Sequence, residues 1–123
     1  MTHMRKSKFT PDLFNWQWTQ YPASHTVRAN LMIHALTFVW VGGGVVLAGL
    51  GALSQQWSWL GMGLTLYGAA ILAQELGHSF EEKRQAPFLS PLDFFARFTA
   101  ENLVTFPRFL LSGAFAATWR SKG

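Results

Sequence analysis

One uncharged stretch, residues 29–74, constrains the fold of this chain more than any other feature. No Lys, Arg, Asp or Glu lies between Arg28 and Glu75, whereas both flanks carry charged residues. The stretch is longer than the roughly 20 apolar residues that one helix needs to cross a hydrocarbon layer. A short polar segment at 54–56, Ser-Gln-Gln, divides it into two parts. This pattern is typical of a membrane hairpin made of two helices.

The composition favours an integral membrane protein over a soluble one. Half of the 123 residues are hydrophobic and 13% are charged, which is little charge to cover the surface of a small soluble domain. The ten basic residues flank apolar segments instead of forming one stripe, so the net charge of +4 favours contact with membrane lipids over nucleic acid. Because the chain has no cysteine, any metal must be held by nitrogen and oxygen atoms.

The sequence predicts one all-α membrane domain, residues 1–123, built around a hairpin with two spans. The first helix is predicted over 27–53 and the second over 57–84, where Trp57 and Trp59 are typical anchors at the membrane–water interface. Both charged flanks lie on one side of the hairpin and the turn has no Lys or Arg, so the termini are expected in the cytoplasm. The membrane is then a bacterial inner membrane or the endoplasmic reticulum.

Two further segments flank the hairpin. Residues 1–20 are predicted to rest at the lipid headgroups, because tryptophans stand beside basic residues there, and 21–25 is predicted as a turn. Region 94–119 is apolar but has polar residues at steps of three or four, so these residues share one helical face. It is either an amphipathic helix in the interface plane or a third span whose polar face is buried against the hairpin. The polar residues on this face are Arg97, Glu101, Thr105, Arg108 and Ser112.

Folding the hairpin at residue 55 predicts which residues of the two helices lie side by side. Antiparallel neighbours then have numbers that sum to about 110. His34 is therefore expected level with the turn of helix that contains Gln74 and His78.

The same rule predicts two further pairs of neighbours. Gly42 is placed opposite Gly68, where small residues let the two helices approach closely. Arg28 is placed near Glu82, so these two charges can pair.

Two polar stripes are predicted to meet at the cytoplasmic end of the hairpin. Asn30 and His34 are spaced i, i+4 on the first helix, and Gln74, His78 and Glu82 repeat this spacing on the second. Histidines in or beside lipid are energetically costly and therefore indicate function by default.

His25 joins this group if the first helix starts after it, which a turn at Pro22 allows. Three histidines with the carboxylate of Glu82 suit a transition metal, as in Fe(II) oxygenases and zinc hydrolases. The alternative is that the histidines only form hydrogen bonds between the helices and that Glu82 only pairs with Arg28.

The spacing of these residues is similar to that of a known family. The motif Tyr21-x3-His25-x4-Asn30-x3-His34, followed by Gln74-x2-Gly77-His78 with Glu82 and Pro87, resembles the Mpo1-like family of small multi-span membrane proteins. The resemblance covers about residues 21–91.

The resemblance implies an enzymatic function. The characterised Mpo1-like type is an Fe(II)-dependent dioxygenase that shortens 2-hydroxy fatty acids by one carbon in fatty acid α-oxidation, with C1 leaving as CO2. By resemblance, His25, His34 and His78 are expected to bind iron and to be the catalytic residues. The expected partners are a 2-hydroxy fatty acid or related lipid, O2 and membrane lipids, with Fe(II) as the cofactor and zinc as its alternative.

Other residues complete the predicted site. Glu82 is expected as a fourth metal ligand, and Tyr21, Asn30, Gln74 and Arg28 are expected around the ligands or against the substrate. Two other functions stay open: a non-catalytic membrane scaffold or lipid-binding protein whose histidines only pack the hairpin, and a zinc-dependent lipid hydrolase.

Overall fold

The computed structural model describes residues 11–121, and the regular structure of these residues is entirely helical, as the sequence predicts. The first ten residues of the predicted interfacial segment lie outside the described residues. The elements are α1 (Pro11–Ser24), α2 (Arg28–Leu53), α3 (Trp57–His78), α4 (Pro91–Ala100), a π-helical segment (Glu101–Thr105), α5 (Phe106–Leu111) and α6 (Ala114–Ser121).

Helices α2 and α3 form an antiparallel hairpin around the turn at 54–56, and this is the most extensive contact between helices. Gln55 adopts a left-handed φ of 58° in the turn. The helices approach most closely where glycines face the partner. An ideal Cβ added to Gly63 would lie 2.5 Å from the backbone nitrogen of Ala48, and one added to Gly44 would lie 2.7 Å from the carbonyl oxygen of Gly63.

Residues that lie side by side in the hairpin have numbers that sum to about 110, as predicted. The glycines in close contact with the partner helix, however, are not the predicted pair. Gln74 Nε2 donates to Thr37 Oγ1 at 2.9 Å, as the sum requires. Gly42 instead faces the side chain of Leu103, and Gly68 meets nothing within 4 Å. The two helices are rotated so that a different set of small residues lies between them.

One described helix, α2, is long and apolar enough to cross a membrane. It has 26 residues and a mean hydropathy of 1.9 over its most apolar window. Helix α3 has 22 residues, but it begins with Trp-Ser-Trp and ends near Gln74 and Glu75, which lowers its mean hydropathy. By length and composition the second predicted span is not confirmed.

Two predicted boundaries are wrong. Residues Tyr21–Ser24 belong to α1 and not to a turn, and α3 ends at His78 instead of continuing to residue 84. After His78 the chain turns back toward the start of α2, where the carboxylate of Glu81 binds backbone N–H groups. Because α3 ends at His78, the loop that follows can bring Glu81 to backbone N–H groups at the start of α2, which have no acceptor within the helix.

Helix α4, the π segment and α5 run as one interrupted helix that packs on the half of the hairpin away from its turn. Ser90 caps the start, since its Oγ accepts a hydrogen bond from the backbone N–H of Asp93 at 3.0 Å. The helix ends before Gly113, which has a φ of 90°. The buried aromatic residues of this region pack on both hairpin helices and on α1, in two clusters: Phe106 and Phe109 with Tyr21 and Leu31, and Phe98 with Val41 and Ala70.

The predicted polar face of region 94–119 is only partly correct. Arg97, Glu101 and Thr105 are buried, whereas Arg108 and Ser112 are exposed. The π segment adds one residue to a turn of the helix, so that Phe106 and Phe109 face the interior in the part that follows.

We expect Gly63→Ala to destabilise the hairpin. The added Cβ would meet the backbone of both Ala48 and Gly44 at 2.5 Å, so the helices must move apart, at a cost of about 1–3 kcal/mol. Thermal unfolding followed by circular dichroism in detergent measures the loss. The matched control is Gly61→Ala on the same helix, where a Cβ meets nothing within 4 Å. Equal melting temperatures of the two variants would contradict the close contact.

Candidate metal centre

Four side chains from four parts of the chain bring their ligand atoms together. His25 lies between α1 and α2, His34 on α2, His78 at the end of α3 and Glu101 at the start of the π segment. One ligand atom of each lies within 4.8 Å of the other three. The three imidazole rings meet edge to face, with centroids 4.7 to 5.0 Å apart.

Backbone carbonyls fix the tautomers of two of these histidines. His25 Nδ1 lies 2.9 Å from the carbonyl oxygen of Tyr21, and His34 Nδ1 lies 3.0 Å from that of Asn30. A carbonyl oxygen can only accept a hydrogen bond, so each Nδ1 carries the proton and donates it. In the neutral rings each Nε2 is then an unprotonated lone pair, which is the form that binds a metal.

Both lone pairs face one carboxylate oxygen. Glu101 Oε2 lies 3.2 Å from His25 Nε2 and 3.1 Å from His34 Nε2. The Nε2 atom of His34 is buried and makes no hydrogen bond, and the same holds for His78 Nδ1. Acceptors facing one another in a buried site repel unless a proton or a cation lies between them.

The ionisation of the cluster favours a cation. Burial alone would raise the pKa of the Glu101 carboxyl, but the contacts with His25 and His34 outweigh it and hold that pKa well below 4.5, an effect that requires positive charge, from a proton or a cation, between the carboxylate and the two imidazoles. Burial also lowers the pKa of His25 from 6.5, and the contact with Glu101 offsets this only in part. An ionised carboxylate beside a neutral imidazole is the charge state that divalent metal ions require.

Two of the distances between ligand atoms also fit a metal, although the whole set spans up to 4.8 Å and must close slightly around an ion. For metal–ligand bonds of about 2.1 Å, adjacent ligand atoms lie about 3.0 Å apart in an octahedral site and about 3.4 Å apart in a tetrahedral one. The Nε2–Oε2 distances of 3.1 and 3.2 Å fall in this interval. A set of three nitrogens and one oxygen suits iron, zinc and other first-row divalent ions.

Glycine lets α3 bring His78 to the other ligands. A Cβ on Gly77, the preceding residue, would overlap the side-chain oxygen of Asn30. Asn30 is held in place because its Nδ2 donates to Glu81 Oε2 at 2.9 Å and to the carbonyl of Ser24 at 3.3 Å. The chain segments that carry all three histidines therefore meet around this one amide.

Glu81 holds the start of α2, which has no side-chain cap of its own. Its Oε2 accepts hydrogen bonds from the backbone N–H groups of Thr26 and Val27 at 2.9 and 3.0 Å, and its Oε1 accepts one from Thr26 Oγ1 at 2.7 Å. A carboxylate at this position interacts favourably with the helix dipole. It also fixes the connection that carries His25.

Two predicted site residues lie elsewhere. Glu82 is exposed and is not part of the cluster, and the carboxylate of the site is Glu101. The reason is that α3 ends at His78, so Glu82 does not continue the stripe of that helix. Arg28 does not approach Glu82: its Nε donates to the carbonyl of Trp119 at 2.9 Å and its guanidinium stacks on that ring.

Two other predicted residues adjoin the cluster, and a third lies near it. Tyr21 donates a hydrogen bond to Glu101, and the backbone carbonyl of Asn30 orients His34. Gln74 lies one layer further away, where its amide exchanges hydrogen bonds with Asn102 at 2.8 and 3.2 Å.

Sequence reasoning missed Glu101 as a ligand, although a signal was present. Glu101 stands on the polar face of the otherwise apolar region 94–119, and burial of this face against the hairpin was one of two predicted arrangements. What the sequence did not show is which residue of that face meets the histidines.

A pocket opens beside the cluster and reaches three of its members, His25, His78 and Glu101. Arg97 fixes one wall, because it donates to the carbonyls of Ala86 and Pro87 at 2.8 and 2.9 Å. The lining combines aromatic rings with basic residues of the loop after α3; these are Trp16, Phe88, Phe94 and Phe98, with Lys83 and Arg84.

Comparisons of this chain with protein families, with curated proteins and with solved structures found no match.

We expect His34→Ala and Glu101→Gln to lose bound metal. Each change removes a ligand whose partners stay buried, so the remaining set no longer encloses the ion. Elemental analysis of protein purified after loading with Fe(II) or Zn(II) measures the ratio of metal to chain. The matched control is Glu82→Gln, which should keep the metal. Loss in Glu82→Gln with retention in Glu101→Gln would contradict the cluster described above.

We expect Glu81→Gln to destabilise the protein at neutral pH by roughly 0.5–2 kcal/mol, the usual range for a lost helix cap. Burial raises the pKa of Glu81, but hydrogen bonds from Val27, Asn30 and Thr26 together outweigh this effect and lower that pKa from 4.5. A lowered folded pKa gives stability that is present above pH 4.5 and is lost as the pH falls through the folded value.

Thermal unfolding of Glu81→Gln and of the parent should therefore converge as the pH is lowered below 4.5. Glu82→Gln, one residue further on and exposed, serves as the control and should match the parent at every pH. A constant difference between Glu81→Gln and the parent across this range would contradict the role of the charge.

Proposed function

We propose that this chain is an Fe(II)-dependent dioxygenase that acts on 2-hydroxy fatty acids at a membrane surface. The observation that carries the proposal is the cluster of three histidines and Glu101, whose ligand atoms lie within 4.8 Å of one another, with Nε2 of His25 and of His34 within 3.2 Å of one carboxylate oxygen. The resemblance to the Mpo1-like family supports the choice of iron and of the substrate. The expected ligands of the iron are His25, His34, His78 and Glu101.

The proposed reaction balances without a further reductant. A 2-hydroxy acid and O2 give a fatty acid shorter by one carbon, CO2 and water: the bond between C1 and C2 breaks, four electrons leave the substrate and O2 accepts them. Bound Fe(II) would supply the activation of O2 and orient the substrate.

The residues around the pocket suit an acid with an apolar tail. Lys83 and Arg84 line the approach to the cluster and can attract a carboxylate. Phe88, Phe94 and Phe98 offer an apolar wall for the first carbons of the chain. Arg97 is committed to the carbonyls of the loop, so its role is to hold this wall in place.

The hairpin supports a membrane location for this chemistry. Large apolar side chains are exposed along both of its helices, including Leu36, Val46, Leu64 and Leu72, and such a surface is stable in lipid. The cluster lies at the end of the hairpin away from the turn, so the tail of a substrate can stay in lipid while its head reaches the ligands. We propose that α2 and α3 both cross the membrane and that the termini are cytoplasmic.

The test is turnover by the purified protein. Protein in detergent is loaded with Fe(II) without oxygen, then given 2-hydroxypalmitate and O2, and the products are identified by mass spectrometry. We expect pentadecanoate and CO2, at rates reduced in Glu101→Gln and unchanged in Glu82→Gln.

Three outcomes would contradict the proposal. No pentadecanoate from iron-loaded protein would reject the reaction. Tight binding of zinc, with hydrolysis of a lipid ester, would favour a hydrolase. No bound metal, with stability unaffected by a chelator, would favour a non-catalytic scaffold in which the histidines only pack the hairpin.

A further inference from the structure

We infer that Tyr21 is a positioning residue that keeps Glu101 a one-oxygen ligand, with Oε2 toward the metal and Oε1 toward the pocket. This role of Tyr21 rests on the metal centre of the proposed function. It determines how many coordination positions on the ion stay open for other ligands.

The phenol of Tyr21 reaches the same oxygen that faces the histidines. Tyr21 Oη donates to Glu101 Oε2 at 3.0 Å, and this oxygen is also the one within 3.2 Å of His25 Nε2 and His34 Nε2. Oε1 accepts no hydrogen bond from the described residues, and Glu101 lines the pocket. Rotation of the carboxylate to present both oxygens to the ion would break the bond with Tyr21.

The ring of Tyr21 is held firmly enough to act as a restraint. It is 4% exposed, it stacks on the imidazole of His25 with centroids 3.7 Å apart and planes at 11°, and the edge of Phe109 packs at 5.1 Å. The backbone carbonyl of Tyr21 also accepts the Nδ1 proton of His25. One residue thus sets the tautomer of one ligand and the orientation of another.

The restraint has a chemical consequence. Four protein ligands, each giving one atom, leave two positions on an octahedral ion. If both oxygens of Glu101 were bound, one of these two positions would close. Tyr21 therefore keeps open a position that a chelating substrate or O2 needs.

The second tyrosine of the chain provides a matched control. Tyr67 is half-buried, and its hydroxyl forms a hydrogen bond of 2.6 Å with Thr99 Oγ1, away from the cluster. Tyr21→Phe and Tyr67→Phe therefore remove the same atom and one hydrogen bond each. Only Tyr21→Phe should change the affinity for the metal and its coordination.

The experiment measures metal binding and not turnover. Parent protein, Tyr21→Phe and Tyr67→Phe are loaded with Co(II), and the visible absorption and dissociation constant are recorded. We expect Tyr21→Phe to bind Co(II) about 10 to 100 times more weakly, because the ligand Glu101 loses a partner that orients it. We also expect a changed absorption spectrum, because the carboxylate is released to bind through both oxygens. Tyr67→Phe should match the parent in both measurements.

An unchanged spectrum in Tyr21→Phe overturns the inference, even if the affinity falls, because a purely structural role would weaken binding without changing the coordination. Failure of the parent to oxidise 2-hydroxypalmitate would reject the proposed reaction but would leave this comparison intact. Failure of the parent to bind any metal would reject both.

A second measurement applies if Tyr21→Phe does not fold. In the Tyr67→Phe background, growth on 3-fluorotyrosine places fluorine only at residue 21 and keeps the hydroxyl. Its ¹⁹F resonance should shift when one equivalent of Zn(II) binds, because the ring stacks on one ligand and bonds to another. Binding of Zn(II) with no shift overturns the inference.

Discussion

The burial of one carboxylate among three imidazoles is the interaction on which the rest of this structure depends. An ionised group removed from water is costly unless partners surround it. Tyr21 of α1 donates a hydrogen bond to Glu101, whereas His25 and His34 become favourable partners when a proton or a cation lies between them and the carboxylate. Those partners are in turn held by backbone carbonyls of Tyr21 and Asn30. Contacts with the backbone therefore orient His25 and His34 without a metal ion.

The hairpin and the interrupted helix position different parts of the site. The hairpin sets the level of its two histidines through the turn at 54–56 and through small residues such as Gly63, which bring the backbones close. The interrupted helix then closes the open side, with Phe106 and Phe109 as the apolar support of Tyr21. The polar cluster thus lies beside an apolar layer that excludes water and strengthens its electrostatic interactions.

The parts of the site that the sequence predicted are those governed by local geometry. His34 and His78 could be paired because the position of a turn determines which residues of an antiparallel hairpin are neighbours. Glu101 could not be assigned in this way, since the contact between α2 and a helix far along the chain depends on packing that no local period reveals. The prediction of Glu82 as a ligand was wrong because α3 ends at His78. The helix ends where the chain turns to bring Glu81 to the N–H groups at the start of α2, and a periodic sequence pattern does not reveal such a contact between distant segments.

The π segment at 101–105 has a consequence for how this chain can vary. Each residue in a helix turns the following side chains by about 100°, so removal of one residue here would restore a regular helix and rotate α5 about its axis. Either Glu101 or the pair Phe106 and Phe109 would then leave the interior. The extra residue couples the length of this helix to the chemistry of the site, and insertions or deletions are tolerated only where they do not change that count.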